Sequence, residues 1–351
     1  MNYVIILAGG VGSRFWPLSS SSEPKQFLNL YSGRSMIEET IDRIGGLFKK
    51  ENIYIATNKL YSQKIRKVAL SNGLQKKNIL FEPQGRNTFA PIGILSDKIN
   101  RIDPDAIITV LPCDHIISER KVFLKLLKQA QDYARQGEIV TLGIPPDRPE
   151  TGYGYIRIKS FKKEIRSKEI KGYRGDKFVE KPSLEAAKKL IKDKRYYWNA
   201  GIFIFKSSVM MYEIMHFLPQ AHKIIESINS KNNLKKLWHK LPAVSIDYAI
   251  MEKTKRIIVL IADCGWKDLG SLQAMSEILK KDRNGNIFMG NCVDIGSTNT
   301  FVWSENKVVG TLGLKNMIVI ETRDAVLICP KVRAQEVKKL VQLLGRRSFK
   351  K

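Results

Sequence analysis

Short apolar runs alternate with segments of helical periodicity along the first 150 residues. The apolar runs predict strands, and apolar residues that recur every three or four positions predict helices between them. The predicted strands are Tyr3–Ala8, Asn52–Thr57, Ile79–Glu82, Ala106–Pro112 and Glu138–Ile144, and the predicted helices are Met36–Phe48, Leu60–Leu70, Phe89–Ile102 and Val122–Gln136. Strands separated by helices indicate βαβ crossovers, which build a mostly parallel sheet covered on both faces.

The rest of the chain is mixed at first and then becomes rich in short strands. Predicted strands at Gly154–Ile158, Lys177–Glu180, Ala200–Phe205 and Ile257–Ile261 alternate with helices at Leu184–Ile191, Ser208–Phe217, Ile246–Glu252 and Ser271–Leu279. Beyond about residue 283, short Val- and Ile-rich segments are separated by Gly, Asn and Asp, and a final amphipathic helix is predicted at Ala334–Leu344. We therefore predict an α/β domain over residues 1–282 and a small β-rich domain over residues 283–351.

The composition excludes several classes of protein. Hydrophobic residues make up 43% of the 351 residues, which is enough for a sizeable core and argues against disorder. No apolar run approaches the roughly 20 residues that span a bilayer, and the N-terminal run is expected to be a strand rather than a signal peptide. The four cysteines are widely spaced without a CxxC pair, which argues against a disulfide framework or a zinc site. We expect a cytoplasmic protein without a membrane span.

The charge of the chain is strongly positive and unevenly distributed. The formal net charge is +26, and residues 151–351 carry +20 of it. Such a field would attract nucleic acid, anionic lipid or phosphorylated substrates. The basic residues lack the interleaved aromatic side chains that stack on bases, so a solvated lysine-rich surface is the favoured interpretation and no nucleic-acid partner is expected.

The strongest chemical signal lies in residues 7–28, where a predicted strand runs directly into a Gly-rich loop. Three glycines within residues 9–12 allow the backbone to approach a ligand closely and point N–H groups towards an anion. Arg14 and Lys25 add two cations at the end of the strand, where open α/β sheets bind ligands. The GxxxxGK[ST] pattern is missing, and Phe15 replaces the third glycine of GxGxxG. The sequence therefore predicts a polyphosphate-binding loop of another kind.

Two aspartates follow predicted strands. Asp114 follows the apolar strand Ile107–Leu111, and Asp268 lies in a loop rich in Gly and Trp after the strand Ile257–Ile261. Mg²⁺ commonly takes one or two protein carboxylates when it bridges phosphate oxygens. A lone aspartate after a strand is more often a turn or cap residue, so this pattern alone leaves the role open.

The ordered motifs resemble those of the sugar-nucleotide pyrophosphorylases, a family of nucleotidyltransferases. The pattern GGxGxR followed by PK lies in residues 9–25, and LAGGVGSRFWPLS with PKQFL is similar to the short, monofunctional mannose-1-phosphate guanylyltransferase branch. Further matching segments are EPQGRNTFAP at 82–91, LPCDH at 111–115, TGYGYI at 151–156, FVEKP at 178–182, WNAGIF at 198–203, SIDYAIMEK at 245–253 and GWKDLGS at 265–271. The chain departs from the usual wording at Cys113, where Ala is common, and at Leu272, where Trp is frequent; neither change removes a charged group.

The resemblance implies a fold and a reaction. It implies a Rossmann-like, GT-A-like nucleotidyltransferase domain with a mixed, mostly parallel sheet, followed by a short left-handed β-helix and a terminal helix. The implied reaction transfers GMP from GTP to α-D-mannose 1-phosphate and gives GDP-mannose, a polysaccharide precursor, and pyrophosphate. It implies Mg²⁺ as the cofactor and in-line attack without a covalent enzyme intermediate.

The resemblance also assigns roles to individual residues. The nucleotide-binding residues that it implies are Leu7, Ala8, Gly9, Gly10, Gly12, Ser13, Arg14, Lys25, Gly85, Asn87 and Thr88. The residues implied for the sugar phosphate are Gly154, Glu180, Lys181 and Asn199, and those implied for the metal are Asp114 and Asp268. The implied catalytic set is Arg14, Lys25, Asp114, Lys181 and Asp268.

Several expectations and alternatives accompany this hypothesis. We expect a homodimer, and no phosphomannose isomerase activity because the chain is shorter than the bifunctional members. The same chemistry with another sugar 1-phosphate or nucleoside triphosphate remains open, as does a catalytically silent regulatory homologue. We expect that truncation after about residue 282 exposes apolar surface before it impairs the chemistry.

Overall fold

The secondary structure follows the predicted alternation of strands and helices closely in the first half of the chain. The structure is a computed structural model that describes residues 1–10, 12–20, 23–30, 33–160, 164–165 and 171–346. Its strands are β1 Asn2–Ala8, β2 Ile53–Asn58, β3 Ile79–Glu82, β4 Ile107–Pro112, β5 His115–Ile117, β6 Ile139–Ile144, β7 Gly154–Ile158, β8 Glu164–Ile165, β9 Gly172–Glu180, β10 Tyr196–Lys206, β11 Ile257–Ile261, β12 Trp266–Asp268, β13 Ile287–Met289, β14 Cys292–Ile295, β15 Phe301–Ser304, β16 Val309–Leu312, β17 Met317–Glu321 and β18 Val326–Pro330.

The helices connect these strands. They are α1 Met36–Arg43, α2 Ser62–Ser71, α3 Phe89–Asn100, α4 Arg120–Arg135, α5 Leu184–Leu190, α6 Ser207–Phe217, α7 Pro219–Lys231, α8 Leu234–Leu237, α9 Leu272–Ile278 and α10 Val337–Arg346. A π-helical turn spans Asp247–Met251, and a 3₁₀ turn at Lys331–Glu336 leads into α10. In the described part of the chain, no helix is long and apolar enough to cross a membrane.

One compact unit is built around a ten-stranded mixed sheet, and we call it the sheet unit. It comprises Met1–Gly9, Ile41–Cys113 and Ile117–Trp266. The strand order is β3-β2-β1-β4-β10-β6-β11-β9-β7, with β8 paired to β9. Strands β3, β2, β1 and β4 are parallel neighbours, whereas β10 runs antiparallel between β4 and β6. The carboxyl ends of β1, β3 and β4 therefore lie along one edge, as the βαβ pattern predicts.

The core of the sheet unit is formed by the apolar face of the sheet and the helices packed on it. Helix α3 packs against α6 and α7, and its residues Phe89 to Asp97 are all buried. Central strands such as β4 and β6 are buried on both faces, which explains their continuous apolar sequences.

A second compact unit is assembled from three separate stretches of the chain, and we call it the β-helix unit. It comprises Gly10–Thr40, Asp114–Ile116 and Lys267–Lys351. Strands β13, β15 and β17 pair in parallel in successive turns, and β14 pairs in parallel with β16 on another side. Asn299 and Asn316 occupy equivalent corners with positive φ angles of 47° and 56°, and the Asn299 side chain donates to Asn316 Oδ1 at 2.6 Å. These stacked turns confirm the predicted β-helix-like architecture.

The core of the β-helix unit contains residues from both ends of the chain. Its buried members are Phe15, Leu30, Met36, Leu269, Leu272, Met275, Ile287, Phe301, Ile318, Ile320, Leu327, Ala334 and Val337. The segment of residues 10–40, which carries the Gly-rich loop, thus shares one core with the β-helix and α10. The predicted division into residues 1–282 and 283–351 does not show that residues 10–40 pack with the C-terminal part of the chain.

Candidate active site

The Gly-rich loop begins in the sheet unit at the end of β1. The Leu7 carbonyl accepts a hydrogen bond from the Cys113 N–H at 3.1 Å, and the Ala8 carbonyl accepts one from the Thr57 hydroxyl at 2.8 Å. A Cβ atom on Gly9 would lie 2.8 Å from Glu82 Oε1, so a larger residue would displace this carboxyl. The end of β1 is therefore held on both sides and lies directly against a buried acid.

The loop continues in the β-helix unit as a tight turn around Gly12. Gly12 has a φ of +71°, and a Cβ atom there would lie 2.8 Å from the Lys25 Cβ. The Gly12 carbonyl accepts hydrogen bonds from the Phe15 N–H at 2.8 Å and from the Ser19 hydroxyl at 2.6 Å. The resulting 3₁₀ turn, Ser13–Phe15, buries Phe15 and leaves the Arg14 side chain exposed. Only glycine suits this position, because both the φ angle and the contact exclude a side chain.

Two carboxylates and a cation converge in the β-helix unit. Lys25 Nζ forms an ion pair with Asp114 Oδ2, and both side chains are less than one-fifth exposed. Ligand atoms of Asp114, His115 and Asp268 lie within 4.8 Å of one another. The Leu269 N–H donates to the Asp114 carbonyl at 3.0 Å, which fixes Asp268 beside Asp114. Residues far apart in sequence thus form one cluster, as the metal hypothesis requires.

The electrostatics of this cluster keep Asp114 ionised. Burial opposes its charge, but the Lys25 ammonium, His115 and the hydrogen bond from Lys25 together lower the pKa of Asp114. Two carboxylates and one imidazole are a donor set that suits a divalent cation, and hard ions such as Mg²⁺ prefer the carboxylate oxygens. The residues present therefore fit a divalent metal, and Asp114 and Asp268 would be its ligands, with His115 beside them.

The loop implied for the nucleotide base follows β3 in the sheet unit. Asn87 has a φ of +60°, and its Oδ1 accepts a hydrogen bond from the Thr88 N–H at 3.0 Å. Thr88 Oγ1 accepts from the Ile246 N–H at 2.9 Å, and the Trp238 indole donates to the Gln84 carbonyl at 2.7 Å. Gly85 has open space where a Cβ would lie. Hydrogen bonds from Trp238 and Ile246 thus hold the loop in place, and Gly85 and Asn87 remain exposed.

Glu82, the last residue of β3, is a buried acid that sequence reasoning did not single out. Its side chain lies against Gly9, and the residue is only 5% exposed. Burial raises the pKa of Glu82 to about 7. The sequence contained a signal, because an acid that directly ends an apolar strand faces the ligand edge of an α/β sheet.

The sugar-phosphate residues of the sheet unit meet where β9 ends. Gly154 pairs with Glu180 across β7 and β9, and a Cβ on Gly154 would lie 2.5 Å from Glu180 Oε2. Adjacent strand residues normally face opposite ways, but Lys181 has a φ of +46° and therefore leaves the strand. This bend, which precedes Pro182, brings the Lys181 ammonium into an ion pair with the Glu180 carboxylate. The two groups implied for the sugar and its phosphate are therefore neighbours.

Asn199 is connected to a second buried acid, Asp247. Asn199 Oδ1 accepts a hydrogen bond from the Thr141 hydroxyl at 2.8 Å, and its Nδ2 donates to Asp247 Oδ1 at 3.1 Å. Burial and the nearby Glu180 carboxylate raise the pKa of Asp247 to about 7. Asp247 begins the π-helical turn, a feature frequent at functional sites. The motif SIDYAIMEK contained this residue, but only the three-dimensional contacts connect it with Asn199 and Glu180.

Replacing Asp247 with asparagine is expected to stabilise the protein increasingly as the pH rises. The folded-state pKa of about 7 exceeds the ordinary 3.8, so the stability that the neutral carboxyl contributes is full below pH 3.8 and is lost as the pH rises through about 7. Asparagine stays neutral and can still accept the bond from Asn199. Urea unfolding at pH 4 to 8 should show a gain for Asp247→Asn that grows with pH, on the order of 1–4 kcal/mol at pH 8.

A matched control for this experiment is Asp147→Asn, because the Asp147 side chain is 73% exposed. Its stability curve should run parallel to that of the wild type. If the free energy of unfolding of Asp247→Asn also follows that of the wild type in parallel from pH 4 to 8, the pKa of Asp247 is the same in the folded and unfolded chains and the prediction is wrong.

The residues implied for binding therefore form two sets. Leu7, Ala8, Gly9, Gly85, Asn87, Thr88, Gly154, Glu180, Lys181 and Asn199 belong to the sheet unit. Gly10, Gly12, Ser13, Arg14, Lys25, Asp114 and Asp268 belong to the β-helix unit. Within each unit the structure brings the implied partners together: the metal ligands with Lys25 in one, and the sugar-phosphate groups in the other.

The chain is similar to known proteins over nearly its whole length. Residues 3–285 match the family model described as Nucleotidyl transferase, and residues 290–344 match the one described as MannoseP isomerase/GMP-like beta-helix domain. The chain is 36% identical over 354 residues to Mannose-1-phosphate guanylyltransferase 2 of Escherichia coli O157:H7, covering 97% of this chain and 73% of that protein. It is also 36% identical over 352 residues to Mannose-1-phosphate guanylyltransferase of Klebsiella pneumoniae, with coverages of 97% and 73%.

A solved structure supports the same relationship. The crystal structure of a Thermus thermophilus protein called mannose-1-phosphate geranyltransferase superimposes with a TM-score of 0.87 and 32% sequence identity. The superposition covers 98% of this chain and 99% of that one. The similarity in fold therefore includes both the nucleotidyltransferase region and the β-helix.

Proposed function

Because the chain belongs to the mannose-1-phosphate guanylyltransferase family of nucleotidyltransferases, we propose that it transfers GMP from GTP to α-D-mannose 1-phosphate and releases pyrophosphate. The family predicted from the sequence motifs is confirmed, and with it the assignment as an enzyme. The observation that carries the proposed chemistry is the convergence of Asp114, Asp268 and Lys25 beside the Gly-rich loop.

The proposed reaction needs positioning and charge neutralisation rather than a covalent intermediate. A phosphate oxygen of mannose 1-phosphate attacks the α-phosphorus of GTP in line, and the bond from the α-phosphorus to the pyrophosphate oxygen breaks. The attacking oxygen is already anionic, so no general base is required. Arg14 and Lys25 stabilise the negative charge of the departing pyrophosphate, and the N–H groups of the Gly-rich loop orient the triphosphate.

The groups at the end of β9 are proposed to hold the second substrate. The Lys181 ammonium offsets the charge of the attacking phosphate, and the Glu180 carboxylate accepts hydrogen bonds from sugar hydroxyls. Asn199 has its Oδ1 engaged by Thr141 and donates one Nδ2 hydrogen to Asp247, so the second Nδ2 hydrogen is proposed to donate to the sugar, in an orientation that Asp247 fixes. When bound by Asp114 and Asp268, Mg²⁺ would neutralise phosphate oxygens that otherwise repel each other.

The choice of guanine is proposed to depend on Glu82. Guanine presents two adjacent donors on its Watson–Crick edge, the N1–H and the N2 amino group, and one carboxylate can accept both. The Glu82 carboxyl ends β3 immediately before the Gly85–Thr88 loop, is buried, and lies against Gly9. Uracil and thymine present one donor between two acceptors, which a carboxylate cannot match.

Replacing Glu82 with glutamine is expected to lower kcat/KM for GTP by about 100-fold, because one of guanine's donors would then face the glutamine amino group in a buried site. The loss for UTP and dTTP should be much smaller, so the ratio between nucleotides is the informative quantity. The measurement is pyrophosphate release with each nucleotide and mannose 1-phosphate.

The control for this substitution is Glu51→Gln, an equivalent change at a side chain that is 59% exposed. It should leave every nucleotide's kcat/KM unchanged. If Glu82→Gln lowers all nucleotides equally, Glu82 supports the fold of the loop and does not select the base.

The experiment that tests the proposed function is a panel of GTP, ATP, UTP and dTTP against mannose 1-phosphate and glucose 1-phosphate with Mg²⁺. GTP with mannose 1-phosphate should give the highest kcat/KM. If another nucleotide and sugar phosphate give the highest kcat/KM, the reaction type stands but the proposed substrates are wrong. If no pair releases pyrophosphate, the result favours a catalytically silent regulatory homologue.

We also propose that the active protein is a homodimer. An exposed apolar patch on the β-helix supports this: Val293 and Ile295 on β14 are 61% and 68% exposed, and Leu312, the partner of Ile295 on β16, is 73% exposed. Apolar side chains that adjoin in this way are typical of interaction surfaces. Light scattering of the purified protein measures the oligomeric state.

A further inference from the structure

The turn that carries Arg14 is attached to the C-terminal part of the chain through Phe15. Phe15 is fully buried, and it belongs to the same apolar cluster as Phe301, Ile318 and Val337. Helix α10 and the 3₁₀ turn Lys331–Glu336 both pack against the Ser13–Phe15 turn. The residue next to the proposed phosphate-binding arginine is thus held by residues about 270 to 320 positions further along the chain.

The C-terminal elements that contact this turn are themselves firmly attached to the β-helix. The Lys331 N–H donates to the Asn316 carbonyl at 2.8 Å, and the Lys331 ammonium donates to Asn299 Oδ1 at 2.8 Å. These two asparagines are the corner residues of successive turns. Ala334, in the 3₁₀ turn, and Val337, at the start of α10, are 0% and 3% exposed. The β-helix therefore determines where α10 lies.

A displacement of Phe15 would be transmitted to the cationic groups of the loop. The Phe15 N–H is bonded to the Gly12 carbonyl at 2.8 Å, and the Phe15 carbonyl accepts from the Ser19 N–H at 3.2 Å. The Gly12 backbone lies directly against the Lys25 side chain, with no room for a Cβ. Arg14 and Lys25 are therefore connected to α10 by one continuous set of short contacts.

We propose that the β-helix and α10 position the phosphate-binding turn through Phe15 and Val337, so that the C-terminal region contributes to catalysis without supplying a group that touches the substrate. This inference rests on the proposed role of Arg14 and Lys25 in binding the triphosphate. It differs from the sequence-based expectation that truncation after about residue 282 exposes apolar surface before it impairs the chemistry.

Shortening Val337 to alanine tests the proposal, because the change leaves a void in the apolar cluster that holds Phe15 and lies outside the substrate-binding residues. Measured well below the unfolding temperature of the variant, KM for GTP, and for pyrophosphate in the reverse reaction, should rise about tenfold, since small misplacements of positioned groups are costly. KM for mannose 1-phosphate should stay within about twofold, because Lys181 and Glu180 belong to the other unit. Val341→Ala, a partly buried neighbour of the same cluster, is the milder variant if Val337→Ala does not fold.

The matched control is Leu343→Ala on the same helix, because Leu343 is 57% exposed and should leave all constants unchanged. Hydrogen exchange provides a readout that is independent of turnover: peptides covering residues 12–19 should exchange faster in Val337→Ala and stay unchanged in Leu343→Ala. If wild-type protein releases no pyrophosphate from any nucleotide, the proposed function fails while this exchange result still decides the positioning. Unchanged KM values and unchanged exchange in residues 12–19, with only a lower unfolding temperature, would overturn the proposal.

Discussion

Asp268→Asn and Asp114→Asn are each expected to lower turnover by at least about 100-fold while the protein stays folded. Both carboxylates lie in the cluster whose ligand atoms are within 4.8 Å of one another. Asparagine keeps the size of the side chain but removes the negative charge that a divalent cation requires. For Asp114, the change also removes the carboxylate that forms an ion pair with the largely buried Lys25 ammonium, which weakens the compensation of that charge.

The measurement is the steady-state rate with Mg²⁺ and with Mn²⁺, together with the affinity for Mn²⁺ from titration calorimetry and a circular dichroism spectrum of each variant. Asp324→Asn is the control, because Asp324 is an exposed aspartate of the same unit. A variant at position 114 or 268 that turns over near the wild-type rate would remove that residue from the metal site. A loss of folded structure in Asp114→Asn alone would indicate that the pair with Lys25 is needed for stability.

Deleting residues 283–351 is expected to abolish soluble, active protein. The remaining chain would keep Phe15, Leu30, Met36, Leu269, Leu272 and Met275, which are buried against the deleted residues. Exposing a buried apolar side chain of this size costs about 1.5–3 kcal/mol. Six such side chains amount to roughly 9–18 kcal/mol, which matches or exceeds the whole stability of a typical domain. The Gly-rich loop would lose its support together with the core.

Size-exclusion chromatography and a pyrophosphate-release assay on the truncated protein check this expectation. A chain that ends at Arg346 serves as the control, because it lacks only residues 347–351, which lie outside the described part of the structure. A soluble truncated protein with normal turnover would contradict the expectation and show that residues 1–282 form an independent catalytic unit. A soluble protein with normal KM for mannose 1-phosphate and poor use of GTP would agree with the positioning role of Phe15.

The predicted bounds of strands and helices are accurate where a clear hydrophobic pattern is flanked by turn-forming residues. Strands β3, β7 and β11 have the predicted bounds, and the ligand-binding edge of the sheet follows from the order of strands and helices. Helix α1 ends at Arg43 rather than Phe48, because Gly45 and Gly46 interrupt the helical pattern. Helix α7, at Pro219–Lys231, was not predicted.

The candidate site was predictable as a set of residues but not as a set of contacts. Motifs identified Asp114, Asp268 and Lys25, whereas the burial of Glu82 and Asp247 depends on residues distant in sequence. The sequence shows that Phe15 and Val337 are apolar, but its local pattern does not show that their side chains share a core. Such pairings are set by tertiary packing, on which local propensity has no influence.

The arrangement of the β-helix unit has a consequence for the order in which the protein forms during synthesis. A ribosome makes residues 10–40 before the residues of the sheet unit that follow them, and their partners at positions 287–337 emerge only after that unit has been made. Closing a loop of this length is entropically costly, and long-range contacts of this kind form slowly. The sheet unit can begin to fold on the nascent chain, while the Gly-rich segment has to wait with its apolar side chains uncovered. The Gly-rich motif is thus made well before it can acquire its structure, so the geometry proposed for phosphate binding is complete only after residues 287–337 have emerged.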